Sequence, residues 1–373
     1  MSDKHLHIVM HDVPWPADFG GVVDLFYKLK SLHAAGLKIH LHCFLNKRPK
    51  QESLQQYCET VNYYKRQQLT ALSLTIPFVV NSRKSDLLLL NLQKDNHPIL
   101  FEGIHCTYYL YRNKLKGRKI FLRLHNVEYR YYEQLAKHEN NFLRKIYFKH
   151  EAKLLKKYER AIANEAQIIT VSTHDAKLYE REFAANNIIF LPVFLPYEHV
   201  SSLEGAGKYC LYHGNLAINE NETAALWLME KMFNTLQIPL VIAGRNPSKR
   251  LKEVTEKYPF VSVVANPTEK NMQLLIKHAQ INVLPSFNKT GVKLKLLNAL
   301  YNGRHCIVNN AGTEGSGLNE LCIIAENDVS FIQQISVLFK ENFTLKEMQR
   351  RSTALKNLYN NKQNAQLIID MLP

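Results

Sequence analysis

Short apolar runs rich in β-branched residues alternate along the chain with longer stretches whose apolar positions recur at helical spacing. Twelve of these runs predict strands, at 7–11, 38–44, 98–103, 119–125, 167–172, 188–194, 209–215, 239–243, 261–265, 281–285, 305–309 and 322–325. Helical patterns lie between many of them, at 22–35, 222–236, 269–279, 291–302 and 345–371. This alternation is typical of parallel sheets whose two faces are both covered by helices.

Twelve strands are too many for one such sheet, and the alternation restarts near residue 208. The stretch 196–208 is polar, contains Gly and Ser and has no periodicity, which is typical of a linker. We therefore predict an α/β fold with two Rossmann-like domains facing a cleft. The predicted domains are residues 1–197 and 209–344, joined by a linker at 198–208 and followed by a C-terminal helix at 345–373.

The composition is that of a packed globular protein, with 46% hydrophobic and 22% charged residues, and it excludes a disordered chain, a collagen-like fibre and a coiled coil. The formal net charge of +15 implies an anionic partner such as a nucleotide, a nucleic acid or an acidic membrane surface. Residues 111–160 contain 15 Lys and Arg against 5 Asp and Glu, interleaved with aromatic residues that include Tyr129, Tyr131, Tyr132, Phe142, Tyr147, Phe148 and Tyr158. Three interpretations of this segment stay open: contact with anionic lipid headgroups, binding of nucleic acid, or a solvated helix whose aromatic side chains face the core.

The cysteines and histidines predict neither disulfides nor a metal site. Six cysteines are scattered without a C-x-x-C pair, which favours free thiols in a reducing compartment. The histidines at strand spacing, such as His5 and His7 or His40 and His42, are interpreted as structural rather than as ligands. No apolar run reaches the roughly 18–20 residues of a membrane span, and the first twelve residues lack a signal-peptide core. We expect a cytoplasmic protein, with peripheral attachment to the inner face of a membrane as an alternative.

Several common enzyme motifs are absent from the sequence. There is no G-x-x-x-x-G-K-[ST], no G-x-G-x-x-G after the first strand and no G-x-S-x-G. These absences argue against a P-loop NTPase, a dinucleotide-binding enzyme and an α/β-hydrolase. There is also no D-x-D, which metal-dependent sugar transferases with a single Rossmann domain use to hold a cation.

A glycine pair follows the first predicted strand and opens the first helix. Backbone N–H groups at such a helix N-terminus bind anions, and Gly20 and Gly21 would let a phosphate approach closely. An ordinary tight turn is the alternative. Asp18 beside the pair is a candidate acceptor for a sugar hydroxyl, or simply a loop carboxylate.

Arg245 follows the predicted strand 239–243 by two residues. Ligands of open α/β sheets bind at the carboxyl ends of strands, where a guanidinium can hold a diphosphate bidentately. Lys249 or Arg250 would supply a second cation, and the spacing does not choose between them.

Residues 290–302 place two lysines at the start of a predicted helix. A loop containing Gly291 precedes the helix, and Lys293 and Lys295 lie in or near its first turn. Cations are disfavoured at helix N-termini, so lysines here indicate a facing phosphate. Because residues two apart do not share a helix face, we assign the phosphate contact to Lys295 and place Lys293 partly in the loop.

Ordered motifs along the chain carry a resemblance to a known family. In the second half they are LYHGNL at 211–216, VIAGR at 241–245, INVLPS at 281–286, TGVKLKLLNAL at 290–300 and GRHCIV at 303–308. In the first half they are FGG at 19–21 and RLHN at 123–126. The second half resembles the nucleotide-sugar-binding domain of GT-B fold glycosyltransferases, in particular the retaining family 4 (glycosyl transferases group 1), and the first half is similar to their acceptor domain.

The resemblance implies a metal-independent hexosyltransferase with a nucleoside-diphosphate sugar as co-substrate and no other cofactor. It implies His125, Arg245 and Lys295 as catalytic residues. It implies a nucleotide-sugar site made of Gly20, Gly21, Gly214, Asn215, Arg245, Lys249, Thr290, Gly291, Lys293, Lys295 and Asn298. It also implies that the base lies near residues 265–267 and that the last helix packs back on the first domain.

The main departure from the family lies at Thr290 and Asn298, where relatives usually carry two glutamates eight positions apart. Asn298 retains an oxygen acceptor for a ribose hydroxyl, but without charge. Two other residues receive structural interpretations. Glu128 at a helix start is interpreted as a cap in preference to a substrate contact, and Asn221 as a cap of the following helix.

The predicted activity is transfer of a sugar to a hydroxyl acceptor with retention, in the synthesis of a cell-surface polysaccharide, a lipid-linked glycan or a glycoprotein. The predicted partners are a nucleotide sugar, a glycan or lipid-linked acceptor and an anionic membrane surface contacted by residues 111–160, but not nucleic acid. The alternatives are a non-catalytic GT-B scaffold or binding subunit, favoured by Thr290 and Asn298, and a nucleotide-sugar epimerase.

Overall fold

A computed structural model describes residues 4–18, 20–68, 72–139 and 141–373. The chain forms two compact units. The first runs from the N-terminus to Pro196 and also includes Tyr359–Pro373, and the second is Tyr197–Leu358. Each unit is built around its own parallel sheet.

The sheet of the first unit has seven strands in the order β3-β2-β1-β4-β5-β6-β7, with every neighbouring pair parallel. The strands are β1 (His5–Met10), β2 (Lys38–Leu45), β3 (Thr60–Lys65), β4 (Ile99–Glu102), β5 (Ile120–Leu124), β6 (Gln167–Thr170) and β7 (Ile188–Phe190). The helices are α1 (Gly20–Ala34), α2 (Phe78–Asn81), α3 (Asp86–Leu92), α4 (Tyr108–Tyr111), α5 (Glu128–His138), α6 (Phe142–Ile162) and α7 (Thr173–Phe183), with 3₁₀ turns at Glu52–Tyr57 and Ile104–Cys106.

The sheet of the second unit has six parallel strands in the order β10-β9-β8-β11-β12-β13. The strands are β8 (Cys210–Asn215), β9 (Leu240–Arg245), β10 (Val261–Ala265), β11 (Ile281–Val283), β12 (His305–Val308) and β13 (Ile323–Ile324). The helices are α8 (Asn219–Leu228), continued by a π-helical turn at Met229–Phe233, then α9 (Lys249–Thr255), α10 (Glu269–His278), α11 (Leu294–Asn302), α12 (Asn310–Thr313), α13 (Asp328–Leu338) and α14 (Leu345–Leu358), with a 3₁₀ turn at Asn319–Leu321. The chain then returns to the first unit as α15 (Asn361–Asp370).

Apolar side chains cover both faces of the first sheet. Because side chains alternate along a strand, Ile8 and Val9 of β1 belong to different apolar clusters. One cluster contains Leu25 of α1 and Ile368 of α15, and the other contains Leu155 of α6. The predicted α/β fold with two parallel, helix-covered sheets is therefore confirmed.

Strand β3 was missed by the sequence pattern. Its sequence, TVNYYK, has no apolar run, because it is the edge strand of its sheet and mostly half-buried or exposed. An edge strand needs only one partner and tolerates polar side chains.

The single C-terminal helix predicted over 345–371 is wrong, because α14 and α15 are separate helices in different units. Asn360 breaks the pattern: its backbone is extended and its side chain accepts a hydrogen bond from the N–H of Gln363 as the N-cap of α15. The α15 helix packs against α1, and the side chain of Asn361 exchanges two hydrogen bonds with the backbone of Leu195.

The segment predicted as a linker, 198–208, lies within the second unit. Gly205 forms an antiparallel bridge with Phe343, and Ser202 donates a hydrogen bond to the carbonyl of Gly303. No helix in the described part of the chain is long and apolar enough to cross a membrane.

Candidate functional site

A buried network of four charged side chains lies at the carboxyl edge of the first sheet. Arg123 of β5 donates two hydrogen bonds of 3.0 Å to the two carboxylate oxygens of Asp24 on α1. Lys28, one turn along α1, places its Nζ 3.0 Å from Asp24 and 2.8 Å from Oε1 of Glu102 at the end of β4. None of these side chains is more than 3% exposed. Two positive and two negative charges therefore compensate one another without help from water.

The network keeps both carboxyl groups ionised. Burial by itself opposes ionisation of Asp24, but the charges of Arg123 and Lys28 hold the pKa of Asp24 far below its usual value. Burial likewise opposes ionisation of Glu102, and Lys28 and His125 lower the pKa of Glu102. The N–H of Phe194 donates a further hydrogen bond of 2.7 Å to Asp24.

His125 lies at the rim of this network, directly after β5, with its side chain 23% exposed. Its Nε2 is 3.1 Å from Oε2 of Glu102 and its Nδ1 is 3.8 Å from Asp24. Because a carboxylate only accepts hydrogen bonds, Glu102 places the ring proton on Nε2. The sequence identified His125 but missed the network beneath it, although Asp24 and Lys28, four apart among the apolar positions of α1, were a readable signal.

Asp24, Glu102 and His125 could also offer ligand atoms to a metal ion. The ammonium of Lys28, however, lies between the two carboxylates at hydrogen-bonding distance from each, where a divalent cation would have to sit. Arg123 also donates hydrogen bonds to both carboxylate oxygens of Asp24, which a metal ion would need as ligands. The donor set therefore fits an ion network better than a metal centre.

The predicted anion-binding glycine pair lies at the start of α1. Gly20 and Gly21 are the first two residues of this helix and both are exposed. Phe19, which precedes them in the motif, lies outside the described residues. The carboxylate of Asp18 accepts a 2.8 Å hydrogen bond from Arg48.

Glu128 begins α5, but the prediction that it caps the helix is wrong. The N–H groups of Glu128 and Tyr129 both donate to the carboxylate of Glu159, at 3.0 Å, so Glu159 on α6 is the cap. The side chain of Glu128 is buried, and burial together with Glu159 raises the pKa of Glu128 to about 8. Burial also raises the pKa of Glu159 to about 7, although hydrogen bonds from Tyr179 and the helix N–H groups oppose this.

In the second unit, the ends of β8 and β9 lie in close contact at Gly214 and Gly244. An ideal Cβ built on Gly244 would lie 1.9 Å from the carbonyl oxygen of Gly214. Asn215 and Arg245 are partners in the parallel register at this edge of the sheet, and both are exposed. The glycines therefore bring the two strand ends together and place Arg245 beside Asn215 at the ligand-binding edge.

Lys295 lies in the first turn of α11 and points back to β8. Its Nζ lies 4.8 Å from the ring centroid of Tyr212 and donates to the Tyr212 hydroxyl at 3.3 Å and to Oδ1 of Asn221 at 3.2 Å. Burial, with a smaller contribution from Lys293, lowers the pKa of Lys295 to about 8, although Glu220 opposes the shift. The lysine is thus still charged near neutral pH but held by neutral oxygens.

Asn221 joins these elements and was misread as a helix cap. It lies inside α8, which begins at Asn219, and its Nδ2 donates to the carbonyl of Asn215 at 3.0 Å. Its Oδ1 accepts from Lys295, so one amide connects the end of β8 with the start of α11. Close by, burial and the charge of Lys295 lower the pKa of His213 to about 3, which keeps that imidazole neutral.

The loop before α11 is ordered by its own polar groups. Gly291 has a φ of +65°, and the preceding Thr290 is buried, with its N–H and hydroxyl both bound to Oδ1 of Asn288. Lys293 is the N-cap residue, outside the helix, and donates to the carbonyl of Thr290 at 2.6 Å. The helix predicted from residue 291 therefore begins only at Leu294.

The other residues predicted to contact the nucleotide form contacts of their own. Asn298 accepts a 2.8 Å hydrogen bond from Asn302, one turn along α11. Lys249 begins α9, is 90% exposed and lies 3.5 Å from Glu253. Asn266, in the segment 265–267, has a φ of +51° and accepts from the N–H of Asn246 at 2.8 Å.

Within each unit, the described contacts thus bring some of the predicted site residues together. In the second unit, hydrogen bonds or strand pairing connect Lys295, Asn215, Gly214 and Arg245. In the first unit, His125 joins a network that the sequence did not predict. Asn221, Tyr212, Asp24, Lys28, Glu102 and Arg123 are the additions that tertiary structure makes to the predicted set.

Comparison with known proteins finds a matching family and a relative of similar length. Residues 207–341 match the family model "Glycosyl transferases group 1". A Klebsiella pneumoniae protein, described as an uncharacterized 44.6 kDa protein in the cps region, is 28% identical over 367 residues, covering 91% of this chain and 92% of that protein.

Solved structures with similar folds span the whole chain. Sucrose-phosphate synthase from Thermosynechococcus elongatus superposes with a TM-score of 0.70 at 16% identity, covering 99% of this chain and 98% of that one. The lipopolysaccharide outer core galactosyltransferase WaaB in its apo form gives a TM-score of 0.63 at 14% identity, covering 98% and 99%. The second unit thus matches the group 1 glycosyl transferases, and the whole chain has the fold of these two solved structures.

Proposed function

We propose that this glycosyltransferase moves a hexose from a nucleoside-diphosphate sugar to a hydroxyl group of a glycan or lipid-linked acceptor, with retention of anomeric configuration and without a metal ion. The product would be a cell-surface polysaccharide, a lipid-linked glycan or a glycoprotein. The cps-region relative and the lipopolysaccharide transferase among the similar folds favour a cell-surface glycan.

The observation that carries the donor site is the position of Lys295. A lysine in the first turn of a helix faces the positive end of the helix dipole, and this one is additionally held among neutral oxygens of Tyr212 and Asn221. A diphosphate placed at the start of α11 would compensate both charges. Arg245, at the end of β9, would take a second phosphate oxygen, while the neutral His213 leaves the charge balance to these two cations.

In the proposed reaction the bond between the anomeric carbon and the diphosphate oxygen breaks, and the nucleoside diphosphate leaves with the electron pair. Arg245 and Lys295 would stabilise the negative charge that develops on the leaving group. The acceptor hydroxyl forms the new bond from the same face, and its proton passes to the departing phosphate. Two fixed cations perform the role that a divalent ion plays in other sugar transferases.

The first unit would bind the acceptor beside His125. Glu102 fixes the proton of His125 on Nε2, which sets the orientation of the ring beside which the acceptor would bind. The exposed N-terminal amides of α1 at Gly20 and Gly21 remain a predicted anion-binding segment.

We further propose that the first two turns of α6 attach the first unit to an anionic membrane. Phe142, Leu143 and Ile146 are 72%, 75% and 49% exposed, which is unusual for three apolar side chains so close together. Arg144 and Lys149 are exposed beside them. Apolar side chains flanked by cations suit the interface of an acidic bilayer, where a lipid-linked acceptor would be found.

The first experiment is a thermal-shift panel with UDP, GDP, ADP, TDP and CMP, each with and without magnesium. A ligand at a hundred times its Kd stabilises the fold by about 2.7 kcal/mol, which is readily detected. One diphosphate should raise the Tm equally with and without magnesium and so identify the donor base.

Activity is then assayed as release of that nucleoside diphosphate from its sugar conjugates, with and without candidate acceptors. Stabilisation without any release of diphosphate would favour a non-catalytic scaffold. Conversion of the nucleotide sugar to its epimer would favour the epimerase. No stabilisation by any nucleotide would contradict the proposed donor site.

A further inference from the structure

Four histidines line one face of the first sheet at its amino-terminal edge, away from the strand ends that carry His125. His5 and His7 alternate on β1, and His40 and His42 alternate on β2. Residues two apart on a strand share a face, and the register pairs His7 with His40. The intervening Leu6 and Leu41 belong to the apolar cluster on the opposite face.

A fifth histidine comes from a third chain segment. His97 precedes β4 and stacks on His5, with ring centroids 4.4 Å apart and planes 9° apart. His5, His40 and His97 each offer one ring nitrogen, and these three atoms all lie within 4.8 Å of one another. All three residues are half-buried, so an ion could reach them from solvent.

We propose that His5, His40 and His97 form a binding site for one divalent transition-metal ion of the zinc, nickel or copper type. Three imidazole nitrogens suit these borderline ions, whereas magnesium and calcium prefer oxygen ligands. Three protein ligands leave a fourth position for water or a solute.

The distances fit such an ion after a small adjustment. Nδ1 of His5 and Nε2 of His40 are 3.0 Å apart. Two zinc–nitrogen bonds of about 2.0–2.1 Å at a tetrahedral angle require about 3.4 Å between the nitrogens. Opening the pair by a few tenths of an ångström, through rotation of the half-buried rings, would admit the ion.

The surrounding hydrogen bonds prepare the ligand atoms. Nδ1 of His40 lies 3.1 Å from the hydroxyl oxygen of Thr60, which leaves Nε2 of His40 directed at His5. Such a partner on the far nitrogen is the usual means of orienting a metal-binding imidazole.

His7 and His42 form a separate network behind the site. Nε2 of His7 is 2.9 Å from Oδ1 of Asp95, its Nδ1 is 2.8 Å from Nε2 of His42, and Nδ1 of His42 is 2.7 Å from the hydroxyl of Tyr64. All four ring nitrogens of these two histidines therefore already have partners. The proposed site is limited to His5, His40 and His97, and the ion would tie β1, β2 and the approach to β4 together.

The test is calorimetric titration of the full-length protein, prepared without a polyhistidine tag, with zinc, cobalt and magnesium salts. Wild type should bind one equivalent of zinc or cobalt, with the visible absorption of four-coordinate cobalt, and no magnesium. His97→Ala should weaken zinc binding by more than 100-fold. Thr60→Val should weaken it by about 10–100-fold, as loss of an outer hydrogen-bond partner does elsewhere.

His150→Ala is the matched control, because His150 is an exposed histidine on α6, and it should bind like wild type. Circular dichroism checks that each variant folds, and if His97→Ala does not fold, the Thr60→Val result decides. Wild-type binding below one equivalent, or equal affinity in wild type, His97→Ala and Thr60→Val, would overturn the proposal.

Discussion

Nε2 of His125 lies 3.1 Å from Oε2 of Glu102, and this contact connects the predicted catalytic histidine to the buried ion network of the first unit. Glu102 thus has two tasks, since it also neutralises Lys28. Replacing His125 and replacing Glu102 should therefore have different consequences.

Glu102→Gln should destabilise the protein by about 3–5 kcal/mol, because it leaves the buried charges of Lys28 and Arg123 with only one carboxylate. His125→Asn, at the rim, should leave the unfolding free energy within about 1 kcal/mol and lower kcat by 100-fold or more. Denaturant unfolding and steady-state kinetics measure the two effects. A fully active His125→Asn variant would remove His125 from the proposed mechanism.

Lys295→Ala should weaken binding of the nucleoside diphosphate by about 10–100-fold, since a charge-assisted hydrogen bond contributes roughly 1.5–3 kcal/mol. Because the pKa of Lys295 is lowered to about 8, wild-type affinity should also fall as the pH rises through 8, when the ammonium loses its proton. Calorimetry between pH 6.5 and 9 measures both. Lys252→Ala, at an exposed position of α9, is the control and should bind like wild type. Equal affinity in the two variants would argue against this phosphate contact.

Gly244→Ala should destabilise the second unit by more than about 3 kcal/mol or prevent its folding, because the new methyl group would meet the carbonyl oxygen of Gly214 at 1.9 Å. Backbone atoms of two paired strands cannot move aside as a side chain can. The matched change is Gly214→Ala, whose methyl group would lie 3.3 Å from the side chain of Asn221, a contact relieved by a shift of a few tenths of an ångström, and it should be much milder. Similar melting temperatures for both variants would contradict this packing.

The buried carboxyl group of Glu128 should make the protein less stable as the pH rises. Its pKa is raised from 4.5 to about 8 in the folded chain, so between these values the folded state holds a proton that the unfolded state has released. The unfolding free energy should therefore fall from pH 5 to pH 8, by at most about 1.4 kcal/mol per pH unit for one such group.

Glu128→Gln removes this titration and should flatten the fall, so that the variant is more stable than wild type at pH 8. Burial also raises the pKa of Glu159, to about 7, so part of the slope belongs to Glu159. Denaturant unfolding across this pH range measures the slope. Parallel pH profiles for the variant and wild type would contradict the raised pKa of Glu128.

The double change Phe142→Ser and Leu143→Ser should weaken binding to phosphatidylglycerol vesicles by at least about tenfold, because each apolar side chain contributes roughly 1.5–3 kcal/mol when it leaves water. Vesicle sedimentation at low and physiological salt measures the affinity. Val329→Ser, an equally exposed apolar position (70%) on α13 of the second unit, should bind like wild type. Failure of wild type to bind vesicles, or equal binding by the double variant, would contradict the membrane proposal.

The alternation of strands and helices was readable from the sequence because buried parallel strands are continuous apolar runs, and the predicted fold was correct for that reason. The positions of Arg245 and Lys295 at a strand end and a helix start were equally readable, since they follow from chain position alone. The hydrogen-bond partners of these and other polar residues could not be predicted from the sequence. Asn298 pairs with Asn302, and Asn221 bridges two elements instead of capping one.

The sequence by itself determined the alternation of buried strands and helices, apart from the edge strand β3 and the break between α14 and α15, because local periodicity and burial decide that alternation. Tertiary structure decided which charges meet. Asp24 and Arg123 are 99 positions apart in the sequence, and His5 and His97 are 92 apart, yet the side chains of each pair are in direct contact in the folded first unit. The distant partner of a charged residue in an apolar element cannot be predicted from the sequence pattern, because pairing depends on the order of the strands. Only folding of the sheet brings the two side chains of each pair to the same edge.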